Sequence, residues 1–206
     1  KWRINQYTIT FDTAGGSDIA SITQDFDTAI TKPKNPSRTG YSFAGWDKDV
    51  PANMPAEDVT ITAKWTVNQY TITFNTIGGS AVNSITQDFG SAITEPDAPT
   101  KVGHTFLGWS PSIPETITED ITCVAVWSTN LYTITFSTGG GSLVDPITQE
   151  YCTDVQTPKD PTKVGHSFKG WSPSIPEIIT EEMIRSLEES GVENKYAVSA
   201  ILAEIF

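Results

Sequence analysis

The chain repeats itself three times, and no other feature narrows its fold as much. Tyr7-Thr8-Ile9-Thr10-Phe11 returns as Tyr70-Thr71-Ile72-Thr73-Phe74 and as Tyr132-Thr133-Ile134-Thr135-Phe136, 63 and then 62 residues further on. Gly45-Trp46, Gly108-Trp109 and Gly170-Trp171 keep the same steps, as do Gly15-Gly16-Ser17, Gly78-Gly79-Ser80 and Gly140-Gly141-Ser142. A chain of 206 residues could be one large domain, but the repetition requires three small units instead. Catalysis needs one constellation of unlike groups, whereas an array offers the same surface again and again. Mechanical or adhesive roles are therefore favoured over an enzyme.

A unit this small buries only roughly 60% of its unfolded-chain surface, so bulky side chains must supply much of its stability. Six Trp, six Tyr and nine Phe meet that demand. The expected core residues are Tyr7, Phe11, Phe43, Trp46 and Trp65 in the first repeat and Tyr70, Phe74, Phe106, Trp109 and Trp127 in the second. In the third they are Tyr132, Phe136, Phe168 and Trp171. A net charge of −12 argues against nucleic acid, which is bound by clustered Lys and Arg. The two cysteines, Cys123 and Cys152, fall at non-equivalent repeat positions, and a structural disulfide would recur with the repeat, so no bridge is expected. Cys123 reads as a small buried apolar residue.

Within one repeat, Tyr7 to Phe11 alternates large residues with threonine, the period of a strand with one buried and one wet face. Gly15-Gly16-Ser17 supplies a turn, and Ile22 to Phe26 a second strand paired with the first. Pro33 and Pro36 exclude a central strand or helix interior, so a crossover follows. Gly40 to Trp46 and Val59 to Trp65 complete four short strands with little helix. The four-residue links Thr66 to Gln69 and Ser128 to Leu131 span at most roughly 14 Å, which predicts closely spaced units in an extended stalk. Lys1-Trp2 stands before Tyr7 as Lys64-Trp65 stands before Tyr70, so residues 1–6 read as the end of a preceding repeat and its linker. The units are then 7–67, 68–129 and an incomplete 130–180, followed by a tail, 181–206.

The ordered set Phe11, Gly15, Gly16, Pro33, Pro36, Gly40, Tyr41, Phe43, Gly45, Trp46, Ala63 and Trp65, with its counterparts in the next two copies, resembles the Listeria–Bacteroides repeat family, the B-repeat of internalin-type surface proteins. The resemblance implies a mainly β, β-grasp-like α+β unit in tandem, an extracellular or cell-surface location in a bacterial protein, and no shared catalytic residues. Two departures stand out. His104 and His166 replace Tyr41, and Glu189 occupies the place that the 62-residue step assigns to the terminal tryptophan.

Other chemistry finds little support. Recurrent Gly-Trp and Ala-x-Trp contexts favour core tryptophans over sugar-stacking platforms. His104 and His166 lie in separate units without a second ligand at metal spacing. Asp47-Lys48-Asp49 and Glu119-Asp120 lack the alternating oxygens of a calcium loop. Gly-Gly-Ser is too short for a phosphate cradle, and no repeated acid partners a histidine as in a triad. No catalytic, metal or cofactor residue is assigned.

The tail predicts a pair of helices rather than a fourth strand. Thr180 is a suitable N-cap before Glu181 and Glu182, Met183, Ile184 and Leu187 share one side, and Gly191 is a stop. A second run from Asn194, carrying Tyr196, Ile201, Leu202, Ile205 and Phe206, is apolar on nearly every side. Such a helix requires a cover, which predicts docking on a protein partner or self-association, with packing against the exposed core of the incomplete third repeat as the alternative. Two functional expectations follow: a non-enzymatic stalk or spacer of a secreted or surface protein, and, as the alternative, an adhesive module with a surface glycan or protein ligand. Membrane insertion of this segment is not expected.

Overall fold

The computed structural model describes residues 1–183 and, as backbone, 197–205. The first repeat contains β1 (Gln6–Asp12), β2 (Ile22–Asp25), β3 (Tyr41–Trp46) and β4 (Val59–Val67). The second contains β5 (Gln69–Asn75), β6 (Ile85–Asp88), β7 (His104–Ser110) and β8 (Ile121–Thr129). The third contains β9 (Leu131–Ser137), β10 (Ile147–Glu150), β11 (Phe168–Ser172) and β12 (Ala197–Ile205). Each repeat forms one four-stranded sheet, in the orders β2-β1-β4-β3, β6-β5-β8-β7 and β10-β9-β12-β11. In the first, β1 pairs antiparallel with β2 and parallel with β4, which pairs antiparallel with β3. A parallel central pair demands a long return path, and the proline-punctuated stretch between β2 and β3 supplies it.

The chain divides into two compact units. One comprises residues 1–73, 83–95 and 114–122, the other 74–82, 96–113 and 123–206. In the first, Ile9, Phe11, Val50, Met54 and Ile61 form a buried cluster flanked by Tyr7, Ile22 and Trp46. The alternation of β1 explains it: Ile9 and Phe11 point inward, while Thr8 lies on the wet face with its Oγ1 2.9 Å from that of Thr23. In the second unit Tyr132, Ile134, Val155 and Ile179 are the equivalent cluster, packed by Phe136, Tyr151 and Trp171. Of the expected aromatic core, Phe11, Phe74 and Tyr132 are buried and the other eleven are half-buried; the fully enclosed side chains are mostly isoleucines.

The loop between the third and fourth strands closes each core. Met54 (1% exposed) is held by Asp27 N–H donating to its carbonyl at 2.9 Å. Ile117 and Ile179 take the same place, with Gly90 and Cys152 N–H as donors at 2.7 and 3.3 Å. Asp27, Gly90 and Cys152 all have positive φ, 66°, 79° and 63°. Cys152 is exposed, Cys123 is buried among the strands, and both are free thiols.

The C-terminal helical pair is overturned. Residues 197–205, expected within the second helix, form β12, parallel to β9 and antiparallel to β11. Phe168 pairs with Ile205 as Phe43 pairs with Trp65 and Phe106 with Trp127. Ile201-Leu202-Ala203-Glu204-Ile205 therefore stands for Ile61-Thr62-Ala63-Lys64-Trp65, sixteen residues later than the repeat step places it. The physical reason is the vacancy between β9 and β11: a strand there bonds along both edges, which outweighs the helix preference of alanine and leucine. Of the first helix, residues 181–183 are helical and Met183 N–H lies 3.4 Å from Thr180 Oγ1, as an N-cap requires. Met183 packs on the third core. Ile184, Leu187, Gly191, Tyr196 and Phe206 lie outside the described residues.

Candidate functional site

The recurrent glycines and tryptophans assemble two devices, one inside each repeat and one between repeats. Inside, Gly45 has φ 113° and marks a bulge where the β3–β4 register shifts. Residues three apart on a regular strand face opposite sides, and the extra residue restores them to one side. Phe43 and Trp46 consequently meet with ring centroids 5.3 Å apart, and Phe43 also meets Trp65 at 5.6 Å. Gly108 and Gly170, with φ 134° and 141°, do the same for Phe106–Trp109 and Phe168–Trp171.

Trp65 then fits over Gly16, whose hypothetical Cβ would lie 2.5 Å from the indole, and its Nε1–H donates to Thr13 O at 2.9 Å. Trp127 repeats this over Gly79 with Thr76 O at 3.0 Å. The Gly-Gly-Ser turn is thus a seat for an indole, and its serine clamps the crossover: Ser17 N–H donates to Ser37 O at 2.7 Å and Ser17 Oγ accepts from Ser37 N–H at 3.0 Å. In the third repeat Thr138, Gly141, Lys163 and Phe168 are among the described residues that line the equivalent seat. The register position of its tryptophan belongs to Ile205, a residue without an indole N–H.

Between repeats the link is shorter than the sequence implied. Strand β4 runs to Val67 and β5 begins at Gln69, which leaves Asn68 alone; Asn130 alone separates β8 from β9. Asn68 N–H donates to Gly40 O (2.9 Å), its carbonyl accepts from Phe89 N–H (2.8 Å), and its Oδ1 accepts from Ser42 Oγ (2.7 Å). Asn130 makes the same three bonds with Gly103 O (2.8 Å), Tyr151 N–H (3.0 Å) and Thr105 Oγ1 (2.6 Å). Above each asparagine an aromatic knob sits on a glycine. Phe89 covers Gly40 so closely that any Cβ there would collide with the ring, and Tyr151 covers Gly103 likewise. Phe89 also meets Tyr41 and Tyr70 edge-on, each at 6.3 Å, while Tyr151 meets His104 at 5.8 Å and Tyr132 at 6.4 Å. His104 thus does the ring packing of Tyr41, and its Nδ1 lies 2.8 Å from Val102 O. Burial, and to a lesser degree the nearby Cys152 and Glu181, pushes the Tyr151 phenol up.

Nothing in the sequence reading isolated the asparagines or the knobs Phe89 and Tyr151. Their signal was present: Asn5, Asn68 and Asn130 recur two residues before each Tyr-Thr-Ile-Thr-Phe strand. Of the six tryptophans, five are half-buried and Trp2 is fully exposed.

The strand order and the bulged Gly-Trp recur in all three repeats, and the Listeria-Bacteroides repeat domain profile matches residues 7–66, 70–126 and 132–175. The chain belongs to the Listeria-Bacteroides repeat domain family. Two proteins of Evansella cellulosilytica, both named as membrane proteins and one of them as Gly-rich, are 38% and 36% identical to this chain over 188 residues. The matches cover 83% of this chain and 28% and 22% of those proteins. Internalin H of Listeria monocytogenes is 38% identical over 117 residues, which is 50% of this chain and 20% of that protein. The chain thus spans about a quarter of these relatives. A solved pair of SHIRT domains from a streptococcal cell surface protein is 20% identical, with a TM-score of 0.24 over 61% of this chain and 98% of that one. Among the described residues no helix is long and apolar enough to cross a membrane.

Proposed function

We propose that this segment is a non-enzymatic spacer, a stalk of β-grasp-like repeats that holds other parts of a bacterial secreted or surface protein apart. The single observation that carries the reading is the junction. One asparagine per link, bonded three ways, leaves no free linker, and the knob on the glycine adds a packed contact beside it. A chain selected for reach gains from stiff links, because a flexible linker of the same residue count covers a shorter mean distance. The half-buried tryptophans support the same reading, since their faces are used for contacts within the repeat.

Small-angle scattering tests it. A compact body of this length has a radius of gyration of about 17 Å, and a spacer gives a value well above that. A measured value at the compact figure refutes the spacer. The adhesive alternative draws on avidity from repeated weak contacts. It replaces the spacer if a Trp109→Ala chain keeps its stability yet loses attachment to glycans or cells.

A further inference from the structure

A pull transmitted along the chain reaches each repeat through its first and last strands, and these lie side by side. In the first repeat the chain enters on β1 at Gln6 and leaves on β4 at Val67. β1 and β4 run parallel, with Ile9, Thr10, Phe11 and Asp12 opposite Val59, Thr60, Ile61 and Thr62. Tension between entry and exit therefore drags the two strands past each other along their length, and the ladder bonds resist together. Were the strands antiparallel, entry and exit would lie at the same end and the pair would open one bond at a time. The ladder is also dry on one face, where Ile9 and Ile61 are fully buried and Phe11 is nearly so. Water is kept from replacing a bond as it lengthens.

A side-chain bond closes each end of this ladder. Before it, Thr8 N–H donates to the Asp58 carboxylate, Oδ1, at 2.7 Å. Beyond it, Trp65 Nε1–H donates to Thr13 O at 2.9 Å with the indole over Gly16. The second repeat, whose order β6-β5-β8-β7 again sets the first and last strands together, has the same two bonds. Thr71 N–H donates to Asp120 Oδ1 at 2.7 Å, and Trp127 Nε1–H to Thr76 O at 3.0 Å.

We propose that the first two repeats carry tension as well as distance, each as a shear clamp made of its first and last strands with a side-chain latch at either end. The proposal rests on the spacer reading and deepens it: reach needs only stiff links, whereas a clamp matters when the parts held apart are pulled. The links suit that role, because Asn68 and Asn130 leave no slack to be drawn out before the strands take the load.

Single-molecule pulling on the full chain tests this, with one handle at the N-terminus and the other on a thiol placed at either end of β4. Cys152→Ser removes the exposed native thiol, and Cys123 is buried. Thr66→Cys loads the β1–β4 pair in shear, and Glu57→Cys loads the same pair from one end; both positions are exposed. The unfolding force with the Thr66 handle should be at least about twofold higher, since four ladder pairs share the load there and one carries it with the Glu57 handle. With the Thr66 handle, Asp58→Ala should raise the unfolding rate at fixed force about tenfold through the loss of one bond to a charged acceptor. Asp58→Asn keeps an acceptor oxygen and should recover most of that loss. Equal forces at the two handle sites overturn the proposal, as does an Asp58→Ala chain that unfolds at the wild-type rate. If Asp58→Ala does not fold, the handle comparison decides alone, because it leaves the clamp unaltered. A compact radius of gyration beside a strong clamp would remove the spacer alone, and an extended chain that yields equally in both geometries would remove the clamp alone.

Discussion

The first and third repeats reach the same strand order with different fourth strands. In the first, β4 follows a short core-closing loop and carries near its end Trp65, whose indole fills the Gly16 seat and bonds Thr13 O. In the third, β12 arrives after a connection fifteen residues longer, and Ile205 stands at the tryptophan's register. The strand position is therefore fixed by the sheet's need for a central partner, while the indole is a separate contribution that the position can lose. A backbone ladder tolerates any residue that can be extended; a seat shaped for an indole and its N–H tolerates one.

Removing residues 197–206 should have the largest effect. β12 lies between β9 and β11 and pairs with both, so its loss leaves β11 without a partner. All of the third repeat's stability, roughly 5 kcal/mol for a domain this small, should vanish. Hydrogen exchange should show lost protection in β9 to β11 with the first repeat unchanged. Persisting protection there would mean that β12 is dispensable, and the comparison would fail.

Trp65→Ala comes next, at about 3 kcal/mol for the lost packing and the lost Thr13 bond. Trp65→Ile, which copies the third repeat, should cost about half of that. Denaturant midpoints read both, and equal costs would show that the seat selects for no indole. A smaller change separates the knob Phe89 from Phe26, its counterpart in the first repeat. Phe89→Ala should destabilise by about 1.5 kcal/mol because its ring packs on Gly40, Tyr41 and Tyr70, whereas the exposed Phe26→Ala should stay within about 0.5 kcal/mol. In the opposite direction, Ile205→Trp should raise the third repeat's stability by about 1 kcal/mol by supplying a donor to Thr138 O. Smallest of all in energetic terms is thiol labelling. Burial holds the Cys123 thiol above its usual pKa and out of reach, so one equivalent, Cys152, should react with a thiol reagent well before the other.

Much of this was legible in the chain. Alternation with threonine located β1, β5 and β9 and gave their inward residues, because a half-buried strand has a period of two and nothing else in a soluble fold does. The double proline marked the crossover for an equally local reason. The tail was not legible. Ile201-Leu202-Ala203-Glu204-Ile205 carries the Ile-x-Ala-x pattern of Ile61-Thr62-Ala63, but its step is broken and its residues prefer helix in isolation. Gly-Trp was also half legible: Phe43 and Trp46 have the wrong parity to share a face, and only the bulge at Gly45 reconciles them.

The sequence by itself determined the number of repeats, the family, the strands of the first two repeats and the glycines at their turns, since each depends on periodicity or on backbone freedom within a few residues. Tertiary structure decided the rest. Which strand fills the centre of the third sheet depends on two edges brought together from residues far apart in the chain. What Asn68 and Asn130 do depends on three partners that meet only after two sheets have formed. Pairing between distant segments can override local preference because each such strand gains hydrogen bonds on both sides at once, and no window along the chain contains that term.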